Sequence, residues 1–185
     1  MTSTKNNVLV CVCGGIAAYK VGYIVSQLAQ RHIHVDVAMT DGAQKFVGPL
    51  TFEALSGHQV HTDLWHNPGG SDPQHINLAQ NAEVILVAPA TANMIGKIAH
   101  GLADDLVSTL LLAAAPEKLI VAPSMNEQMW NNPAVQANIA SLRSRGLAII
   151  GPESGWQACR TVGIGRMSEP EAIVQAVLSH LPIKS

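Results

Sequence analysis

Aromatic side chains are scarce in this chain: Phe, Tyr and Trp together supply only 4% of 185 residues, although apolar residues reach 48%. Its core must be built from Ala, Val, Ile and Leu, the usual filling between helices and a buried sheet. Charge is sparse too, at 13% of residues, with a formal balance of -2 and scattered basic groups. That leaves no electrostatic footprint for nucleic acid. The longest apolar run, LLLAAA at 110–115, falls far short of the roughly 20 residues that a membrane-spanning helix needs. The opening MTSTKNN is too short and too polar for a signal peptide, so the cytoplasm is the expected compartment.

Cysteine is limited to three residues, which suits a reducing compartment. Cys11 and Cys13 lie in an apolar strand pattern and lack the CxxC spacing of a metal or redox site. They are read as small core residues facing opposite sides of the sheet. Cys159 differs, sitting among polar residues and glycines. His32 and His34 flank the start of a strand and no HExxH occurs, so no metal site is expected.

What is present alternates. Apolar runs at 7–13, 35–40, 84–88, 118–122 and 147–150 read as strands. Helical spacing follows Gly14–Gly15, recurs over 43–56 with a break near Pro49, and marks 91–99, DDLVSTLLLA and 133–145. SEPE at 168–171 reads as a capping box, with Ser168 as N-cap of a last helix reaching about Leu181. Residues 57–73, including HNPGGSDP, have loop chemistry. With no repeat or linker visible, the expectation is one three-layer α/β sandwich with a parallel sheet.

In such a fold ligands sit beyond the C-terminal strand ends, here CGGIA, AMTDGA, APATAN, APSMN and GPESG. Neither GxGxxG nor a Walker sequence occurs, and VDVAMT ends in Thr40 without an acid for a ribose hydroxyl. A mononucleotide is favoured over a dinucleotide, and FMN suits a redox or decarboxylase site. Gly14 and Gly15 either make a tight turn or admit a phosphate to backbone N–H groups. In PATAN, Thr91 and Asn93 offer a hydroxyl and an amide, although Thr91 also suits a helix cap.

Three residues carry the chemistry. PSMNEQMW at 123–130 holds Asn126 between Met125, Met129 and Trp130, an uncharged amide in apolar surroundings. Such an amide grips a carboxylate without the strong ground-state binding that an arginine would add. The alternative is that Asn126 caps a turn while Trp130 fills a subunit interface. His75 stands just before the NAEVILVA run. Cys159 lies in a glycine-rich stretch, 151–167, with almost no periodicity, a candidate lid in which Arg160 and Arg166 would favour its thiolate.

These pieces resemble the flavin-dependent cysteine decarboxylase family. The likeness rests on CGGIAAYK at 13–20, HINL at 75–78, PATANMIGKIAHGLADDL at 89–106, PSMNEQMW and ACRTVGIGRM at 158–167, in the family's order. It implies a Rossmann-like, flavoprotein-type fold and one FMN-binding domain over 1–185. Gly14, Gly15, Ile16, Thr40, Phe46, Pro89, Ala90, Thr91, Ala92 and Asn93 would surround FMN. The resemblance further implies a homotrimer with sites at subunit boundaries. His75 would be the essential histidine and Asn126 the contact to the substrate carboxylate. Cys159 would be a late proton donor, with Met129, Arg160 and Arg166 also lining the substrate.

The expected reaction is decarboxylation of 4'-phosphopantothenoylcysteine to 4'-phosphopantetheine in coenzyme A biosynthesis. In the family's chemistry FMN oxidises the cysteinyl CH2–SH to a thioaldehyde, CO2 leaves as an enethiolate forms, and the flavin is then reoxidised. Alternatives are a peptidyl-cysteine decarboxylase, which typically lacks the ACRTVGIGRM segment, and a flavin prenyltransferase, which PSMNEQMW counts against. A non-catalytic flavoprotein subunit is a third. Two features depart from the family pattern: Arg160 stands where many members have Gly, and the chain stops at Ser185 without a fused ligase. A separate phosphopantothenoylcysteine synthetase is therefore expected in the pathway.

Overall fold

The computed structural model describes residues 6–65 and 73–182. Five parallel strands form the central sheet: β1 (Asn7–Val12), β2 (His34–Met39), β3 (Val84–Ala90), β4 (Leu119–Pro123) and β5 (Ala148–Ile149). Their order is β2-β1-β3-β4-β5. The chain leaves β1 toward one edge and returns past it to β3, so the connections diverge between β1 and β3. Ligands collect at such a switch point, outside the carboxyl ends of the strands.

The continuous apolar runs follow from burial on both faces. Val8, Val10 and Val12 of β1 pack with α1 (Ala18–Ala29), α3 (Pro49–Ser56) and α9 (Pro170–His180) through Val21, Ile24, Phe52, Ile173 and Val177. Leu9, Cys11 and Cys13 enter the opposite layer, with α4 (Gln74–Asn81), α5 (Ala92–His100), α6 (Leu106–Ala113) and α8 (Pro133–Ser144). The two cysteines thus share a face, correcting the expectation of opposite sides. Side chains alternate along a strand, so residues two apart point the same way. Among the described residues no helix is long and apolar enough to cross a membrane.

The helical segment over 43–56 divides as its proline requires. A short α2 (Asp41–Gln44) ends before Pro49, which becomes the first residue of α3, where its missing N–H costs nothing. Residues 57–65 carry no helix, and His61 forms a bridge with Ala38; the remainder of the expected loop, 66–72, lies outside the described residues.

The largest departure from the sequence reading is 151–167. Instead of an irregular lid, it contains an antiparallel hairpin of β6 (Glu153–Trp156) and β7 (Val162–Arg166). The final helix also starts differently. Glu169 occupies its N-cap without a side-chain cap bond, and Pro170 begins the helix. Ser168 is buried against Gly151 and caps nothing.

Candidate active site

A cavity of about 800 Å³ opens at the switch point. Its walls are the turn after β1, the start of α5, the PSMNEQMW loop and the β6–β7 hairpin. Gly14 lines the cavity and is also required by packing. A Cβ there would lie 2.7 Å from the backbone carbon of Gly42, which locks the first turn to the second. Gly15 is open by contrast: a Cβ there would meet nothing nearer than Pro89 at 3.8 Å and Thr91 at 4.0 Å. A ligand therefore has room to approach the chain at Gly15 and Ile16, both in the cavity wall.

Thr91 does two jobs. Its Oγ1 accepts from the Met94 N–H at 3.2 Å, capping α5, while the residue lines the cavity with Ala92 and Asn93. Pro89 and Ala90 end β3 behind this wall and shape it from outside, with Ala90 O accepting from Ser124 N at 3.0 Å. Thr40 caps α2 through a bond from Ala43 N, and neither it nor the exposed Phe46 lines the cavity. His75 sits on α4 and also lies outside this cavity.

Asn126 proves to be both a cap and an amide presented to the cavity. Its Oδ1 accepts from Gln128 N at 2.9 Å, capping the short α7 (Glu127–Trp130). That commitment leaves Nδ2 as the donor facing the cavity, 3.3 Å from Cys159 Sγ. Met125 and Met129 line the cavity, whereas Trp130 is buried in the core layer that also holds residues of α5 and α8. Its burial within one subunit corrects the idea that it fills a subunit interface.

The hairpin is fastened to this loop by groups that sequence reasoning missed. Gln157, only 7% exposed, donates from Nε2 to the carbonyls of Ile164 and Gly163, at 2.8 and 3.3 Å. Its Oε1 accepts from Glu127 N at 3.3 Å. Glu127 answers by accepting from Ile164 N at 3.3 Å, and the bare Cα of Gly163 makes room for its carboxylate. Met125 N donates to Gly165 O at 2.9 Å, and Gly165 adopts φ 133. A β-carbon there would strike the Met125 carbonyl, so only glycine fits.

Cys159 is held at the turn of that hairpin. Its Sγ lies 3.0 Å from Thr161 Oγ1 and 3.5 Å from Gln157 Oε1. Bonds from Thr161 and then Asn126 lower the thiol below its ordinary pKa, because donors stabilise the thiolate. Hydroxyl and amide, rather than the expected Arg160 and Arg166, supply the effect. Arg160 adopts φ 65 in the turn and lies outside the cavity wall, while Arg166 is part of it.

The other two thiols behave oppositely. Burial raises Cys11 well above the ordinary value and Cys13 to about 12. Iodoacetamide should therefore label the folded protein at Cys159 alone and the denatured chain at all three cysteines, as read by mass spectrometry. The alkylation rate of Cys159 should rise at a lower pH than that of a free cysteine. Thr161→Val should move this profile to higher pH, since it deletes the strongest influence stabilising the thiolate. An unmoved profile would mean that Thr161 does not tune Cys159.

Lys20 is a second omission. It projects from the first turn of α1 into the cavity wall. The signal was its place one helical turn beyond Gly14–Gly15, within reach of anything bound there. Among the described residues, Lys20 and Arg166 are the charged side chains of a wall that includes no carboxylate.

Residues 1–181 match the Flavoprotein family. The chain is 49% identical over 176 residues to the coenzyme A biosynthesis bifunctional protein CoaBC of Bacillus subtilis (strain 168), covering 95% of this chain and 43% of that protein. It thus spans under half the length of that relative. Among solved structures, a PPC decarboxylase mutant complexed with pantothenoylaminoethenethiol superposes with TM-score 0.84 at 32% identity, covering 95% of this chain and 97% of the other. The FMN-dependent cysteine decarboxylase SpaF gives TM-score 0.79 at 33% identity, covering 96% and 98%. By sequence and by fold, this chain belongs to the Flavoprotein family.

Proposed function

We propose that residues 1–185 act as one FMN-binding domain that decarboxylates 4'-phosphopantothenoylcysteine. The observation that carries this reading is the Asn126 Nδ2 to Cys159 Sγ contact of 3.3 Å inside the cavity. A carboxylate-binding amide and a proton-donating thiol lie within one substrate's reach. The comparisons support it: a CoaBC protein and a PPC decarboxylase are among the relatives.

The residues present fit FMN. The wall is open at Gly15, offers the Thr91 hydroxyl and Asn93 amide, and among the described residues carries two cations with no acid to repel an anionic nucleotide. Gly14, Gly15, Ile16 and Thr91–Asn93 would hold it, with Pro89–Ala90 supporting them from behind. Bound FMN supplies the two-electron oxidation at the substrate's cysteinyl carbon and sulfur without which CO2 loss leaves its electrons nowhere to go.

The chain does the rest. Asn126 Nδ2 holds the substrate carboxylate, and its neutrality keeps that carboxylate from being over-stabilised before it leaves. Cys159 delivers a proton to the carbon that lost CO2, and the Asn126 and Thr161 donors steady the thiolate left behind. Met129, about half exposed, and the more exposed Trp156 stand in the cavity wall and close over the substrate. His75 lies outside its own chain's cavity, so we assign it to a neighbouring subunit's site in a cytoplasmic homotrimer. A ligase reaction that joins cysteine to a phosphorylated pantothenoyl acid must supply the substrate.

FMN-loaded protein should release CO2 from 4'-phosphopantothenoylcysteine and accumulate 4'-phosphopantetheine. A colourless protein that takes up no added FMN would remove the cofactor and the reaction together.

A further inference from the structure

Two cations from separate elements converge on one carboxylate at the rim of the cavity. Lys20 Nζ reaches Glu169 Oε2 at 3.4 Å from α1, and Arg166 Nη2 pairs with Glu169 Oε1 from the end of β7. The side chains of Lys20, Arg166 and Glu169 are 16%, 36% and 44% exposed. Lys20 and Arg166 line the cavity, whereas Glu169 does not. Arg166 is laid across Gly155 of β6, with Nη1 and Cδ each 3.0 Å from where a Cβ would stand. The hairpin thus has a bare strip shaped for the guanidinium.

An ion pair this exposed contributes little stability, and a competing anion displaces its carboxylate readily. A planar guanidinium beside an ammonium matches the oxygens of a phosphate monoester, which carries more charge than one carboxylate. We propose that Lys20 and Arg166 form the phosphate-recognition site of this cavity, with Glu169 as the internal anion that occupies it between ligands. The phosphate belongs either to the 4'-phosphopantothenoyl substrate or to the flavin nucleotide. This rests on the decarboxylase reading for the identity of the ligands. The geometry itself requires only a phosphate monoester.

Calorimetry on the whole chain distinguishes the sources, using 4'-phosphopantetheine against pantetheine and FMN against riboflavin. In Lys20→Met and Arg166→Met the preference for the phosphorylated member of one pair should fall about tenfold or more, as expected for a lost charge-assisted contact. The affected pair identifies the source. Glu169→Gln removes the competing anion and should raise that preference, moving it the other way. A ratio taken within each variant is insensitive to partial loss of folded protein. If both ratios stay at the wild-type value in both cation variants, or if Glu169→Gln lowers the preference as they do, the site is merely structural. In that event wild-type turnover leaves the decarboxylase reading standing. A wild-type chain that binds neither phosphorylated ligand overturns both.

Discussion

A Cys159→Ser protein loaded with FMN should still release CO2 from 4'-phosphopantothenoylcysteine, yet its flavin absorbance should remain bleached. Serine keeps the size of the side chain and its reach to Thr161, but its hydroxyl is a far weaker acid than a thiol already lowered by two donors. Protonation of the decarboxylated carbon then stalls. Finished 4'-phosphopantetheine should form about 10²-fold more slowly or worse, the usual scale for loss of a positioned general acid. His75→Asn should stop the reaction earlier, with oxidised flavin and no CO2. Because His75 lies outside its own chain's cavity, the proposed trimer, assembled from a mixture of the two variants, should regain part of the lost activity. Stopped-flow absorbance read beside CO2 release separates the stages. Equal and complete loss of CO2 release in both variants, with substrate affinity unchanged, would show that Cys159 is needed before decarboxylation.

Asn126→Asp should abolish turnover while leaving the fold intact. Aspartate caps a helix as well as asparagine does, so the bond from Gln128 N to the side-chain oxygen survives. What changes is the group facing the substrate and Cys159. Nδ2 donates toward the thiol at 3.3 Å, and its replacement by a carboxylate oxygen removes a donor and adds a like charge. The Cys159 thiol should titrate higher, and the substrate carboxylate should be repelled in a partly dry cavity. We expect kcat/KM to fall by about 10²-fold or more, on the scale of an uncompensated buried charge contact. The flavin should stay oxidised and Tm should remain near wild type. A large loss of Tm would assign Asn126 to folding alone.

The sheet was legible because its strands are buried on both faces and read as continuous apolar runs. The hairpin was not. ESGW and VGIGR are short and broken by glycines, and the hairpin is anchored by Gln157 and Glu127 rather than by alternating apolar residues. Those glycines looked like loop punctuation, yet Gly163 and Gly165 are bare because Glu127 and Met125 crowd them. Asn126 and Cys159, which stand on two distant segments, meet across the cavity. Their tuning partner Thr161 stayed hidden, since a hydroxyl beside an arginine draws no notice until the turn folds it onto the sulfur. Lys20 escaped notice for a similar reason. A lysine in an amphipathic helix reads as solvated, and only α9 brings Glu169 to its tip.

The central claim, that this cavity decarboxylates a phosphopantothenoyl cysteine, is tested most directly by one side-by-side assay. FMN-loaded protein is given 4'-phosphopantothenoylcysteine or a peptide ending in cysteine, and CO2 is followed with flavin absorbance. The account predicts CO2 and 4'-phosphopantetheine from the first substrate, with the flavin returning to its oxidised state, and little release from the peptide. Turnover of the peptide alone would contradict it.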